Sequence, residues 1–113
     1  GGYDPVAYFT DGRPVRGNAQ FRINHQGYEY RFASAEHLAT FRANPSRYVP
    51  QYGGYCAWAV SQGYTAAGNP NNWRIVDGKL YLNYNSEIQT RWEQDIPGHI
   101  SHANSNWPSV LTR

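Results

Sequence analysis

The sequence predicts a small α+β domain in which two short β-hairpins alternate with helices. Alternating hydrophobic residues flank the turn His25-Gln26-Gly27, and a second alternating pair of runs flanks Asp77-Gly78. Both turns carry the glycine that tight hairpin loops need for a positive φ. A residue that can cap a helix follows each hairpin, Ser34 after the first and Asn85 after the second. With 113 residues, we expect one domain spanning residues 1–113.

Composition excludes several classes of protein. Aromatic residues reach 16% and hydrophobic residues 40%, which is too apolar for a disordered tail. The net charge of +2 is too small for the basic stripe with which proteins bind nucleic acid. No apolar run approaches the roughly 20 residues that span a bilayer. We therefore expect neither a nucleic-acid partner nor membrane insertion.

The first half of the chain is predicted to contain a lead-in, a hairpin and a helix. Residues 1–17 are rich in turn signals, and we interpret them as an extended lead-in with a turn at Asp11-Gly12. Two short runs, 20–24 and 28–32, form the first hairpin. Ser34 caps a helix of about ten residues. Asn44-Pro45 ends that helix because proline lacks the backbone N–H that a helix interior needs.

The second half repeats the alternation of helix and hairpin, although the sequence itself shows no internal repeat. A short helical turn at 45–48 is followed by Gly53-Gly54, which opens a helix with Cys56 in its first turn. Residues 62–72 form a loop because glycine, proline and asparagine dominate them. The remaining predictions are a hairpin of 73–76 and 80–83, a helix from Asn85 or Ser86 through Trp92, and a last helix from Pro97 to about Asn106.

Cys56 is the most informative single residue, because the chain has one cysteine and no methionine. An internal disulfide and a zinc site made of several thiolates are both excluded. Four roles stay open: a buried inert residue, an intermolecular disulfide, a reactive thiol, or a thiolate ligand supported by histidines. In the first turn of a helix, unpaired N–H groups and the helix dipole would stabilise a thiolate.

The histidines supply the partners for a metal site. His37 lies on the predicted helix, and an imidazole together with the Cys56 thiolate suits copper or zinc. His25, at the tip of the first hairpin, is a further candidate ligand. His99 and His102 are three residues apart and would share a helix face, but that spacing is common by chance.

Three stretches of the sequence resemble the YHS-domain proteins, in particular their small stand-alone, selenoprotein-type subgroup. They are GYDPVAYF at residues 2–9, GYEYRFAS continuing to FRANPSRY at 27–48, and QYGGYCA at 51–57. The resemblance implies a treble-clef-like core that handles a metal. In the family, three thiolate positions bind the metal, and here they are Ala7, Ala33 and His37. In some relatives a selenocysteine replaces the cysteine that corresponds to Cys56.

From the residues and this resemblance we expect a small soluble metal-binding protein that takes copper in preference to zinc. Its site would centre on Cys56, with His37 and His25 as further ligands, and would serve metal transfer or sensing. The first alternative is a redox protein with Cys56 as the catalytic thiol, and the second is a non-catalytic interaction domain. An enzyme is the less favoured class, and if the chain is one we expect a thiol oxidoreductase. The resemblance also implies a periplasmic or secreted protein.

Overall fold

Two antiparallel hairpins and several helices make up the fold, so the predicted α+β class is confirmed. The computed structural model describes residues 2–112. In chain order, the elements are α1 (Ala7–Thr10), β1 (Asn18–His25), β2 (Tyr28–Phe32), α2 (Ala35–Ala43), α3 (Pro45–Tyr48), a 3₁₀ turn (Gln51–Gly54), α4 (Ala57–Ser61), β3 (Asn69–Val76), β4 (Lys79–Asn83), α5 (Ser86–Glu93), α6 (Ile96–Asn106) and a second 3₁₀ turn (Ser109–Thr112). None of the helices within residues 2–112 is long and apolar enough to cross a membrane.

The chain divides into two compact units, Gly1–Val49 and Pro50–Arg113. We refer to them as unit 1 and unit 2 and describe each one separately. That the whole chain is one domain stays a prediction.

Unit 1 packs the helix α2 against the hairpin β1–β2 through aromatic side chains. Phe32 and Phe41 are fully buried, with their ring centroids 5.0 Å apart. Tyr30 lies 5.1 Å from the same Phe41 ring. Ser34 caps α2 as predicted, because its hydroxyl accepts a hydrogen bond from the His37 N–H. Burial of each large ring contributes about 1.5–3 kcal/mol, so this aromatic cluster is the main source of stability in unit 1.

Unit 2 uses the same arrangement around Trp92 of α5. Trp92 is fully buried, and its ring lies 5.4 Å from that of Tyr81 on β4. Tyr52, which is 5% exposed, packs 6.0 Å from Tyr81. Burial raises the pKa of Tyr52 far above the usual range, and the Tyr81 phenol adds to the shift. The predicted cap of α5 is confirmed at Asn85, whose side chain accepts from the Ile88 N–H.

The two units repeat one local architecture, which the sequence analysis did not detect. In unit 1 the hairpin begins with Asn18 paired to Phe32, and in unit 2 it begins with Asn69 paired to Asn83, 51 residues later in both strands. Every further pair in the two hairpins follows the same offset, including the register shift after the first pair. Phe41 and Trp92, the buried centres of the two clusters, also differ by 51 residues. We therefore treat positions in the two units as equivalent.

The segments before the hairpins are equivalent as well. Asp4 N–H donates to the Val15 carbonyl in unit 1, and Cys56 N–H donates to the Ala66 carbonyl in unit 2, both at 2.8 Å. A short helix follows in each case, α1 or α4. Asp4 of unit 1 is therefore the equivalent of Cys56 in unit 2.

Three predictions about local structure are corrected. Residues 7–10 form the helix α1, because Asp4 accepts the N–H groups that begin it, whereas we expected an extended lead-in. Strand β3 begins at Asn69 inside the predicted loop 62–72, because its register shift lets it pair with β4 despite Pro70. Cys56 precedes α4 as its N-cap and does not lie in the first turn.

Candidate functional site

The carboxylate of Asp4 in unit 1 is buried and has four hydrogen-bond partners. Asp4 is fully buried. Its Oδ1 accepts from the N–H groups of Val6 at 2.9 Å and Ala7 at 3.2 Å, and its Oδ2 accepts from the Ala33 N–H at 2.8 Å. These bonds offset the cost of burying a carboxylate. The sequence analysis treated Asp4-Pro5 as a turn signal and did not single out Asp4.

The fourth partner of Asp4 is the ring of His37. Nδ1 of His37 lies 2.6 Å from Asp4 Oδ2, and the His37 side chain is 20% exposed. Because a carboxylate can only accept, the ring proton lies on Nδ1 and the lone pair of the neutral ring lies on Nε2. Nε2 is 3.3 Å from the hydroxyl of the exposed residue Thr10. A histidine whose ring N–H is held by a carboxylate is the usual form of a metal-ligating imidazole.

The three positions that the resemblance assigns to metal ligands, Ala7, Ala33 and His37, converge on this carboxylate. Ala7 and Ala33 reach it through their backbone N–H groups, and His37 through its ring. Neither alanine has a side-chain donor, so a three-thiolate metal site does not fit here. One donor, His37 Nε2, remains for a metal at these positions.

His25, the other histidine predicted in unit 1, has a packing contact. It is the last residue of β1, is half-buried, and its ring meets the Phe41 ring edge to face at 5.9 Å. This contact places it at the margin of the aromatic cluster. Its role as a metal ligand stays a prediction.

Both the backbone N–H and the side chain of Cys56 in unit 2 donate hydrogen bonds. It is 1% exposed, and its thiol donates to the Asn83 side-chain oxygen at 3.5 Å. The same oxygen accepts from the Trp58 N–H at 3.0 Å. Of the N–H groups that we expected to stabilise a thiolate, that of Trp58 is therefore already paired with a protein oxygen, and α4 has only five residues. The Asn83 side chain therefore accepts an N–H at the start of α4, as the Asp4 side chain does at the start of α1.

Asn83 was also missed by the sequence analysis. It alternates with Tyr81 along β4, so the period of two places both side chains on one face of the hairpin. Both are buried. The Nδ2 amide of Asn83 is buried without a hydrogen-bond partner. A buried polar residue on the apolar face of a strand was the available signal.

A cavity of about 470 Å³ in unit 2 has Cys56 among its lining residues. Three aromatic side chains line it, those of Trp58, Tyr64 and Tyr84. Ile88 and Arg91 of α5 complete one side. The cavity is large enough for a small molecule or for an ion with its own ligands, and Cys56, although 1% exposed, contributes to its wall.

The structure thus brings some predicted residues to polar partners and not others. His37 meets Asp4 in unit 1, and Cys56 meets Asn83 in unit 2. His99 lies 3.3 Å from the Ser61 hydroxyl. Among residues 2–112, no group of three or more His, Cys, Asp or Glu side chains is arranged to hold a metal ion.

Comparison with known proteins gives a match to the segment that contains His37 and begins just after Asp4. The family model of the YHS domain matches residues 6–52. YHS domains are generally associated with the handling of metals, copper in particular. The match begins two residues after Asp4 and includes the rest of unit 1, but it covers less than half of the chain. No curated protein and no solved structure matches the sequence. Membership of the stand-alone subgroup stays a prediction.

Proposed function

We propose that this protein binds a soft or borderline metal ion, copper in preference to zinc, and serves its transfer or sensing. The observation that carries the proposal is the 2.6 Å contact between Asp4 and His37, because His37 lies inside the segment that matches the YHS domain and Asp4 lies two residues before that segment. The contact orients the imidazole so that its lone pair is on Nε2, whose partner is the hydroxyl of the exposed residue Thr10 at 3.3 Å, a contact that a metal would replace. Imidazole nitrogen suits both copper and zinc.

Cys56 is the second proposed ligand, argued within unit 2. Its sulfur is the only one in the chain, and soft thiolate ligands favour Cu(I). Cys56 is among the residues that line a cavity large enough for an ion that brings its own ligand. A single protein thiolate leaves the remaining coordination positions to the delivering or receiving molecule. Such incomplete ligation suits transfer better than permanent binding.

A second candidate function is thiol redox chemistry at Cys56, favoured by the cavity that Cys56 helps to line. The thiolate would attack one oxygen of a peroxide and break the O–O bond, giving a sulfenic acid and releasing hydroxide. An external thiol would then condense with the sulfenic acid and release water, because the chain has no second cysteine. The predicted periplasmic or secreted location belongs to either proposal.

Anaerobic titration with Cu(I) against a chromophoric competitor tests the metal proposal. We compare wild type, Cys56→Ser, His37→Gln and His25→Gln, with His102→Gln as the control because His102 is exposed on α6. The proposal predicts one tight equivalent in wild type and in the control. It predicts loss of that equivalent in Cys56→Ser, and in His37→Gln it predicts loss of the weaker metal uptake at the unit 1 imidazole.

Absence of Cu(I) and Zn(II) uptake by wild type would overturn the metal proposal. Rapid oxidation of Cys56 by peroxide, lost in Cys56→Ser, would then support the redox candidate. If wild type shows neither property and thiol reagents reach Cys56 only after unfolding, both proposals are wrong and the interaction domain is the better description.

A further inference from the structure

The cavity beside Cys56 has the size and walls of a small-molecule site. Its volume of about 470 Å³ lies within the range of about 300–1,000 Å³ that ligand pockets occupy. Every residue that lines it belongs to unit 2. It is therefore formed by α4, α5 and the segments that join them to the hairpin.

One wall is a preorganised aromatic surface. The Trp58 ring meets Tyr64 edge to face, with the ring centroids 6.2 Å apart. The Arg91 guanidinium lies 6.0 Å from the Trp58 ring centroid. Contacts with two neighbours restrict the orientation of the indole, so little ordering remains when a ligand packs against it.

Two tyrosines are unusually exposed at the same cavity. Tyr64 is 48% and Tyr84 53% exposed, and they are among the most exposed large hydrophobic residues described. Large apolar side chains that cluster at the mouth of a cavity mark binding sites more often than scattered ones do. The combination of apolar ring and hydroxyl also suits a partly wet margin.

The charges at the cavity favour an uncharged ligand. Arg91 and Glu87 both line it, and they form an ion pair with each other at 3.3 Å. The pair leaves no net charge at the cavity. Cys56 is a further lining residue, and sulfur is a polarisable atom that suits contact with an aromatic ligand.

Comparison of the two units shows why this space differs from its counterpart in unit 1. Cys56 is the equivalent of Asp4, 52 residues later, because their N–H groups make equivalent hydrogen bonds. Ile88 is the equivalent of His37 at the hairpin offset of 51 residues. In unit 1, the His37 ring contacts the Asp4 carboxylate and so occupies the space between the backbones of these two residues. In unit 2, both equivalents, Cys56 and Ile88, line the cavity.

We propose that unit 2 binds a small, uncharged, planar aromatic molecule of one or two rings in this cavity. The ligand packs against Trp58 between the two exposed tyrosines, Tyr64 and Tyr84, with an edge toward the Cys56 sulfur. This binding is independent of the proposed metal function, because it depends on the aromatic walls and not on a thiolate.

The test uses indole as the probe and metal-free protein labelled with ¹⁵N. Titration followed by two-dimensional NMR should give saturable shifts at the backbone amides of Cys56, Trp58, Tyr84 and Ile88. Tyr64→Ala and Tyr84→Ala should each weaken binding at least about fivefold, since each removes a wall of stacked aromatic area. Tyr28→Ala is the matched control, because Tyr28 is similarly exposed, at 45%, and lies in unit 1.

Two further comparisons make the result decisive. Cys56→Ser should bind indole within about twofold of wild type, which separates this site from the thiolate that the metal proposal needs. Ile88→Trp should abolish binding by filling the cavity, with the spectrum confirming the fold. Shifts that do not saturate, or equal affinity in Tyr84→Ala and wild type, would overturn the proposal. Tighter binding of indole-3-acetate than of indole would refute the preference for an uncharged ligand.

Discussion

Replacement of Asp4 by asparagine tests the role that we assign to the buried carboxylate. The new side chain has nearly the same shape but presents one oxygen and one NH₂ group. If its oxygen keeps the bonds to Val6 and Ala7, the NH₂ group faces the Ala33 N–H and His37 Nδ1. Two donors then meet at Ala33, where an acceptor is required.

The stability cost follows from the bonds that are lost. A buried N–H left without an acceptor costs about 1–3 kcal/mol, and a hydrogen bond to a charged group contributes about 1.5–3 kcal/mol. The Ala33 bond is lost in Asp4→Asn, while the bond to His37 is retained in reversed direction. We therefore expect a loss of about 2–4 kcal/mol. That is a large part of the roughly 5–15 kcal/mol that stabilises a typical domain.

The same substitution should move the proton on the imidazole. With an NH₂ group facing it, Nδ1 of His37 becomes an acceptor and the ring proton shifts to Nε2. Protonated Nε2 cannot bind a metal. We expect metal affinity to fall by about 10- to 100-fold, as when a carboxylate partner of a ligating histidine is removed.

Urea unfolding followed by circular dichroism measures the stability change, and long-range ¹H–¹⁵N NMR of the imidazole identifies the tautomer. Asp11→Asn is the matched control, because Asp11 is exposed and should change the free energy of unfolding by less than about 0.5 kcal/mol. An imidazole still protonated on Nδ1 in Asp4→Asn, or an unfolding midpoint equal to that of wild type, would refute the reasoning.

Two further predictions concern the backbone and the tyrosines. Gly17→Ala and Gly68→Ala should each destabilise the protein by about 1–3 kcal/mol in urea unfolding. A Cβ at residue 17 would lie 2.6 Å from the Arg31 backbone, and a Cβ at residue 68 would lie 2.8 Å from Leu82 Cβ. Unchanged stability in both variants would contradict this prediction. Burial raises the pKa of Tyr8 and Tyr52, so the stability that these two tyrosines contribute should be constant below about pH 10. Above that pH it should fall by up to about 1.4 kcal/mol per pH unit per tyrosine, because the unfolded chain releases these protons first. Equal stability on both sides of that pH would refute it.

Local sequence signals were sufficient for much of the fold. The turns at Gln26-Gly27 and Asp77-Gly78 both adopt positive φ at both residues, as the hairpin prediction requires. The caps at Ser34 and Asn85 were predicted because a short polar side chain preceded an apolar run, and both accept the expected N–H. These features depend on residues within a few positions of each other.

Features that depend on distant residues were not predicted. Asp4 and Ala33 are 29 residues apart, and nothing local to Asp-Pro indicates a buried carboxylate. The short helix at Ala7–Thr10 depends on that carboxylate, so it was missed with it. The predicted environment of Cys56 was wrong for the same reason, because its thiol donates a hydrogen bond to Asn83, which is 27 residues away. The internal repeat was missed because it is carried by register and burial rather than by identical residues.

The equivalence of the two units shows which parts of this architecture can change independently. Gly17 and Gly68 approach backbone or Cβ atoms closely in both units, and a large ring fills each centre, Phe41 or Trp92. The polar group beside the short helix is an acid in one unit and a thiol with an amide in the other. The hairpin register is the same in both, so the chemistry at this position is not required for strand pairing. A designer could exchange these groups between the units and obtain new binding chemistry on an unchanged frame.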